Sequence, residues 1–307
     1  MLPSRLRRWP IVGLLALLLL IAGTAILWLT QYRQPAVRDL VSYFPTREAT
    51  VLYLDVEAIR ASGILDKLVG STVGEDPEYR AFIAQTGFDY KRDLNRVMMY
   101  SAGGIHYFVL QGRFDWAKLK SWAASQGGVC KEDYCHTKGS TPDRIISWRK
   151  LRSDMMALAS ARDEAGARAI DRRAAEPVAF DVPGAPLWLH VPGETIRSTT
   201  DLPAGTKMFA SALKAADRAV FSLLPDGKNF ALAADVACPG AEQAAVLKAQ
   251  LEGLTNLLLG LLTRERKTPS DSDLSGVLTS GKFDRAGTHV KGRWTVQRAF
   301  LDALGGS

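Results

Sequence analysis

No strong catalytic or nucleotide-binding motif is present in this sequence of 307 residues. It lacks the HExxH pair of a zinc protease, the GxSxG turn of a serine hydrolase and a glycine-rich phosphate loop. A paired CxxC is also missing, and the histidines lie far apart in the sequence, at positions 106, 136, 190 and 289. These absences predict no metal and no cofactor, and they favour a non-enzymatic protein over an enzyme.

Acidic residues are absent from the first 33 positions, which hold four arginines. Of the formal net charge of +7, this segment therefore contributes +4, and only +3 belongs to the rest of the chain. Nucleic-acid-binding domains concentrate their basic residues on the folded surface. The distribution of charge here predicts no nucleic-acid binding and points to the flank of a membrane segment.

Charged side chains are also absent from residues 10–30, which read PIVGLLALLLLIAGTAILWLT. As a helix this stretch would be about 30 Å long, the thickness of the hydrocarbon core of a bilayer. Trp9 and Trp28 occupy interfacial positions, and the basic flank at residues 1–9 indicates a cytoplasmic N-terminus. We predict a single-pass helix in the inner membrane and an extracytoplasmic body. The alternative is a signal peptide cleaved near residues 23–25.

Cysteine is scarce, with three residues in the whole chain. Cys130 and Cys135 enclose a short loop, and in an extracytoplasmic body they are expected to form a local disulfide. Free thiols are one alternative. A metal site that adds His136 is another, although it lacks an evident fourth ligand. Cys238 has no neighbouring cysteine and is expected to be a small buried hydrophobic residue.

The remaining sequence alternates between predicted strands and helices. Residues 31–49 form a linker, and the first strand is predicted at residues 50–56. Two strands followed by a helix then recur four times, with the helices predicted at residues 115–127, capped by Asp115 and closed by Gly127, and at 162–173, 240–264 and 295–304. A proline-rich stretch at residues 177–192 separates two of these units from the other two. The sequence predicts an α+β fold, with antiparallel sheets built from β-hairpin–helix units in two similar halves, residues 50–180 and 181–307.

The anchor, the strand VLYLD at residues 51–55 and the repeated hairpin–helix units resemble uncharacterised bacterial membrane-anchored proteins that carry an extracytoplasmic α+β body. This resemblance implies the same fold class and the same placement outside the cytoplasm. The family has no assigned activity, so the resemblance implies no catalytic or binding residue.

Residues 241–262 have the clearest helical pattern of the body. A leucine-rich face of this kind packs in the core of a domain, or it binds a partner or a membrane surface. The following leucines form the candidate partner face: Leu247, Leu251, Leu254, Leu258 and Leu261.

Two further groups of charged residues are candidate sites. Arg149, Lys150 and Arg152 are predicted to form a basic hairpin tip, which would contact lipid head groups or an anionic polymer, or would be a solvated turn. Asp55 and Glu57 would share one face if the first strand continues, as an acid–base or cation-binding pair. Alternatively, Asp55 caps a helix and Glu57 lies in its first turn.

These features favour a non-enzymatic envelope protein that binds a protein partner, of unknown identity, or scaffolds a complex. The alternative is a lipid- or glycan-binding module that uses a groove between helices and sheet, with Trp116, Trp122 and Trp148 as contacts. A hydrolase with a site at Asp55 and Glu57 is the third hypothesis.

Overall fold

The computed structural model describes residues 36–44, 48–63, 65, 77–139, 141, 143–170, 178, 180–199 and 204–305. The chain divides into an N-terminal unit, residues 1–40, and a body, residues 41–307. The predicted membrane helix at residues 10–30 lies outside the described residues. A short helix, α1 (Val37–Val41), is the first described element.

One antiparallel sheet contains all twelve strands of the described part of the chain. Its strand order is β11-β12-β10-β9-β8-β1-β2-β3-β7-β6-β5-β4. The strands are β1 (Thr50–Asp55), β2 (Leu94–Ala102), β3 (Ile105–Gly112), β4 (Val129–Lys131), β5 (Tyr134–Lys138), β6 (Ile145–Arg152), β7 (Met155–Ala161), β8 (Leu187–Pro192), β9 (Arg218–Asp226), β10 (Asn229–Ala237), β11 (Lys282–Ala286) and β12 (His289–Val296).

Helices pack on one face of this sheet, and the predicted α+β class is confirmed. They are α2 (Val56–Ala61), α3 (Pro77–Thr86), α4 (Tyr90–Asp93), α5 (Trp116–Ser125), α6 (Gly193–Ser198), α7 (Ala204–Ala212), α8 (Ala241–Arg264), α9 (Leu274–Thr279) and α10 (Arg298–Gly305), with 3₁₀ turns at Gly166–Ala169 and Leu213–Ala215. The largest core cluster joins α2 and α6 to α10 with β9 to β12. A second cluster packs α5 against β6 and β7.

The centre of the sheet is the pairing of β1 with β8. Tyr53 lies opposite Trp188, and their rings stack with centroids 5.7 Å apart. Outward from this pair the strand order is β1-β2-β3-β7-β6-β5-β4 on one side and β8-β9-β10-β12-β11 on the other. The two predicted halves therefore belong to one continuous sheet.

Local sequence accounts for many of the element boundaries. The Asp115 side chain accepts a hydrogen bond from the Lys118 amide at 3.1 Å and caps α5, as predicted. Gly127, with φ of 72°, follows the end of that helix. Gly227, with φ of 62°, forms the turn between β9 and β10. At these positions the backbone requires a residue that tolerates the left-handed region.

One prediction of secondary structure was wrong, and one element was missed. The helix expected at residues 162–173 is only a 3₁₀ turn at Gly166–Ala169 in its described part, because this segment lies flat against the sheet. Gly166 approaches the side chains of Ala159 and Ala161 so closely that a β-carbon there would lie 3.0 and 3.1 Å away. The hairpin of β4 and β5 was not predicted, since its strands are short and polar.

Connecting segments cover part of the other face of the sheet. The Phe180 ring stacks on the imidazole of His190 at 4.2 Å, and His190 Nδ1 donates to the Ala49 carbonyl at 3.1 Å. His190 is only 1% exposed. Burial lowers the pKa of His190 to about 4, despite the favourable hydrogen bond to Ala49. The imidazole is therefore neutral at pH 7.

This burial makes the stability of the body dependent on pH. In the unfolded chain His190 titrates near 6.5 and in the folded chain near 4, so between these values the unfolded state binds more protons. Acidification from pH 7.5 to pH 5 should cost about 2 kcal/mol through this residue. Urea unfolding at the two pH values measures the loss, and His190→Gln should reduce it by that amount. An equal loss in the variant would assign the acid sensitivity to other groups.

Candidate functional site

The inner face of α8 is part of the core. Leu247 and Leu251 are 4% and 3% exposed, and α8 packs against α7, α9, β11 and β12. Two of the five leucines of the candidate partner face are thus buried and cannot contact a partner. Leu254 and Leu258 are half-buried, and only Leu261 is exposed. Leucine spacing alone does not distinguish a core face from a binding face.

The opposite side of α8 is exposed and apolar. Val246, Leu257 and Leu261 are exposed to 52%, 51% and 43%. From residue 243 to residue 263 no exposed position of the helix carries a charge. The α8 outer face consists of Ala245, Val246, Ala249, Gly253, Leu257, Gly260 and Leu261, and the exposed, uncharged side chains of Gln243, Gln250 and Asn256 lie among them.

Charges on α8 lie at the flank of this face and neutralise each other. Lys248 and Glu252 are half-buried, and Lys248 Nζ donates to Glu252 Oε1 at 2.6 Å. In the described part of the chain, α8 is the one helix that is long and apolar enough to span a membrane by composition. Its buried leucines make it a helix of the folded body instead. An exposed apolar stripe on such a helix is a candidate docking surface.

Arg149, Lys150 and Arg152 belong to the end of β6, and the turn of the β6–β7 hairpin is at residues 153–154, so Arg152 is next to the tip and the other two precede it. Arg149 donates to the Ile170 carbonyl at 2.5 Å, and the ammonium of Lys150 lies 5.6 Å from the centre of the Trp116 ring. Arg152 pairs with Asp154 at 3.2 Å. The three cations therefore contact the body and form no common binding patch.

The two cysteines of the loop lie directly opposite each other on β4 and β5, and an S–S bond joins Cys130 to Cys135. His136 lies on β5 of this hairpin, and its Nε2 is 3.6 Å from a carboxylate oxygen of Glu164. Cys238 is a buried thiol, and burial raises its pKa. Within the described residues no group of three potential metal ligands converges.

Asp55 and Glu57 do not form a carboxylate pair. Asp55 caps α2, since its Oδ1 accepts from the Ala58 amide at 2.9 Å, while Oδ2 accepts from the Tyr53 hydroxyl at 3.3 Å. Arg96 Nε lies 3.7 Å from the same carboxylate. Glu57 is exposed in the first turn of α2. Burial, followed by the charge of Asp55, raises the pKa of Tyr53 to about 12. These contacts serve helix capping and not acid–base chemistry.

Sequence analysis missed a buried carboxylate that joins two elements. The side chain of Asp93 is 8% exposed, and it accepts from Arg92 Nη2 at 2.7 Å and from Arg113 Nη2 at 2.8 Å. Burial raises the pKa of Asp93, but hydrogen bonds from Arg92 and the Asp89 amide, together with both cations, lower it below its usual value. The guanidinium groups of Arg92 and Arg113 and the Asp93 carboxylate pair with each other within the chain. This network therefore stabilises the start of β2 and does not form a reactive site.

Comparisons with known proteins bear on the fold alone. No protein-family model and no curated protein sequence matches the chain. Solved structures are similar to it: crystal form III of TP0453 has 10% identity and a TM-score of 0.50, and crystal form I has 11% identity and a TM-score of 0.49. Each likeness covers 88% of this chain and 98% of TP0453. The resemblance to membrane-anchored envelope proteins stays a prediction.

The role of Asp55 can be tested by a pair of single substitutions. Asp55→Ala should lower the free energy of unfolding by about 1 kcal/mol, because the cap of α2 is lost. Glu57→Ala, the control, should change it by less than about 0.5 kcal/mol because this residue is exposed. Urea titration measures both values. Equal stability of the two variants would contradict the capping role.

Proposed function

We propose that this protein is a non-enzymatic, single-pass protein of the inner membrane whose extracytoplasmic body binds a protein partner through the α8 outer face. The observation that supports this proposal is the uncharged, exposed stripe along a helix whose other side is fixed in the core. Soluble surfaces seldom leave contiguous apolar area in water without a use. No convergent set of reactive side chains in the described residues competes with this function.

The chemistry of the stripe favours a partner that presents an apolar helix. Ala245, Ala249 and Gly253 recur at intervals of four residues, so a second helix can approach the α8 backbone closely. A β-carbon built at Gly253 meets no other atom within 4 Å. Leu257 and Leu261 extend the contact toward the end of the helix. The helix is about 36 Å long, which suits a helix-on-helix interface.

The proposed membrane helix at residues 10–30 contributes to the same function. A tether confines the body to the membrane surface and raises its effective concentration toward other envelope proteins. An interface of modest area then suffices for binding. The flank of arginines supports a cytoplasmic N-terminus and an extracytoplasmic body.

We further propose that the two halves arose by duplication. β1 and β8 pair through like residues, Leu52 with Leu189 and Leu54 with Leu187. A short helix follows each strand and carries an arginine that donates to a carbonyl near the start of the next strand. The two hydrogen bonds are Arg60 to the Leu94 carbonyl and Arg197 to the Ala216 carbonyl.

Crosslinking in cells tests the partner proposal. The double variant Leu257→Gln, Leu261→Gln should reduce a recurrent, mass-spectrometrically identified envelope partner at least tenfold, because the apolar contact is lost. The free energy of unfolding should change little, since both side chains are exposed. The matched control is Met208→Gln with Leu274→Gln, two exposed apolar residues outside α8.

Equal recovery of that partner with both double variants would contradict the role of the α8 outer face. Recovery of lipid alone, with no recurrent protein, would contradict partner binding. A partner lost only in the α8 variant would support it.

A further inference from the structure

A cavity of about 370 Å³ lies between the sheet and the helices in the second half of the body. Strands β8, β9, β10 and β12 form its floor, and α6, α7, α8 and α9 contribute the other walls. Phe209 of α7, Leu251 of α8 and Val277 of α9 face Phe221 and Val290 of the sheet across it. The cavity is partly open to solvent. Its size is that of a small-molecule site.

The lining carries no charged side chain, and its polar groups are the hydroxyls of Thr199 and Thr206 and the indole N–H of Trp294. The Thr199 hydroxyl is already used, because it donates to the Thr195 carbonyl at 2.7 Å. A wall of this kind cannot compensate the desolvation of a charge or of several polar groups. A water molecule finds few hydrogen-bond partners in this cavity, whereas a hydrocarbon chain is stabilised by the burial of its apolar surface.

A small residue in β10 leaves the space. Ala234 lies opposite Gly292 of β12. The Trp294 ring covers Gly292, because a β-carbon there would lie 2.7 Å from that ring. The space in the floor is therefore next to the methyl group of Ala234, which lines the cavity.

The first half of the sheet has large residues at the corresponding pair. From Leu189 of β8 the register runs through Phe221 to Ala234 and Gly292. From Leu52 of β1, which corresponds to Leu189 when Arg60 of α2 is matched with Arg197 of α6, it runs through Met99 to Phe108 and Leu158. Leu158 packs against the cluster below α5. The cavity is thus a specific feature of the second half, where the methyl group of Ala234 replaces the ring of Phe108.

We infer that this cavity binds a hydrocarbon chain, such as the acyl chain of a lipid or of a free fatty acid. A 150 Å³ apolar cavity holds the six carbons of benzene, so 370 Å³ corresponds to about 15 carbons. The head group stays outside, since the lining offers no charge to pair with it. This inference does not rest on partner binding, because Leu257 and Leu261 are outside the cavity lining.

Photo-crosslinking of the full-length chain in bilayer vesicles tests the inference. The probes are dodecanoic acid with a diazirine in its chain and a phosphatidylcholine with the same labelled chain. Peptide mapping should place the adducts on α7 and α9. Each methylene buried is worth about fourfold in affinity, so Ala234→Leu, which fills the floor, should reduce these adducts at least tenfold.

Two further variants keep this test decisive. Ala210→Leu fills the same cavity from α7 and should have the same effect if Ala234→Leu unfolds. Ala233→Leu is the control, because this residue precedes Ala234 on β10 and points to the opposite face. Labelling by either probe at α7 and α9 supports the inference and identifies the source of the chain. Equal labelling of Ala233→Leu and both filling variants, or adducts confined to the α8 outer face, would overturn it.

Discussion

The pairing of β1 with β8 is the constraint on which the rest of the body depends. Strands from residues 50–55 and 187–192 meet at the middle of the sheet, and every other strand is added outward from them. Tyr53 and Trp188 are 1% and 0% exposed, so their stacked rings are fully buried at this junction. Burial of two large aromatic side chains supplies several kcal/mol in the region where the two halves meet.

The two halves use their helix-facing surfaces differently. Below α5, the rings of Trp122 and Trp148 lie 5.9 Å apart, and Phe82 packs edge-on against Trp122 at 5.0 Å. In the second half, the small side chain of Ala234 on β10 leaves space under the helices. Protein interiors are otherwise close-packed, so this cavity distinguishes the second half from the first.

Local signals made much of the fold predictable. The bounds of α5 follow from its Asp115 cap and from Gly127, and the hairpin of β9 and β10 follows from its turn at Gly227. The span of α8 was also predicted to within one or two residues, since a long run of helix formers precedes its polar end. These features are encoded within a few positions of the chain.

Features that depend on distant contacts were not predictable. The orientation of α8 depends on which of its leucines contact β11 and β12. The leucine spacing in the sequence does not show which side of the helix faces the core and which faces solvent. The cavity requires Leu189 of β8, Leu251 of α8 and Val290 of β12 to line one space, although they lie far apart in the chain. Asp93 meets Arg113 for the same reason. Such sites emerge only when the register of the sheet is known.

Native-state hydrogen exchange tests most directly whether the central pairing unites the halves. Amides of β2 and β3 in the first half, and of β9 and β10 in the second, would be followed by mass spectrometry at increasing urea. If β1 and β8 join one cooperative unit, both sets should exchange with the same free energy and the same urea dependence. Exchange of one half at a clearly lower free energy, with the other still protected, would contradict this account.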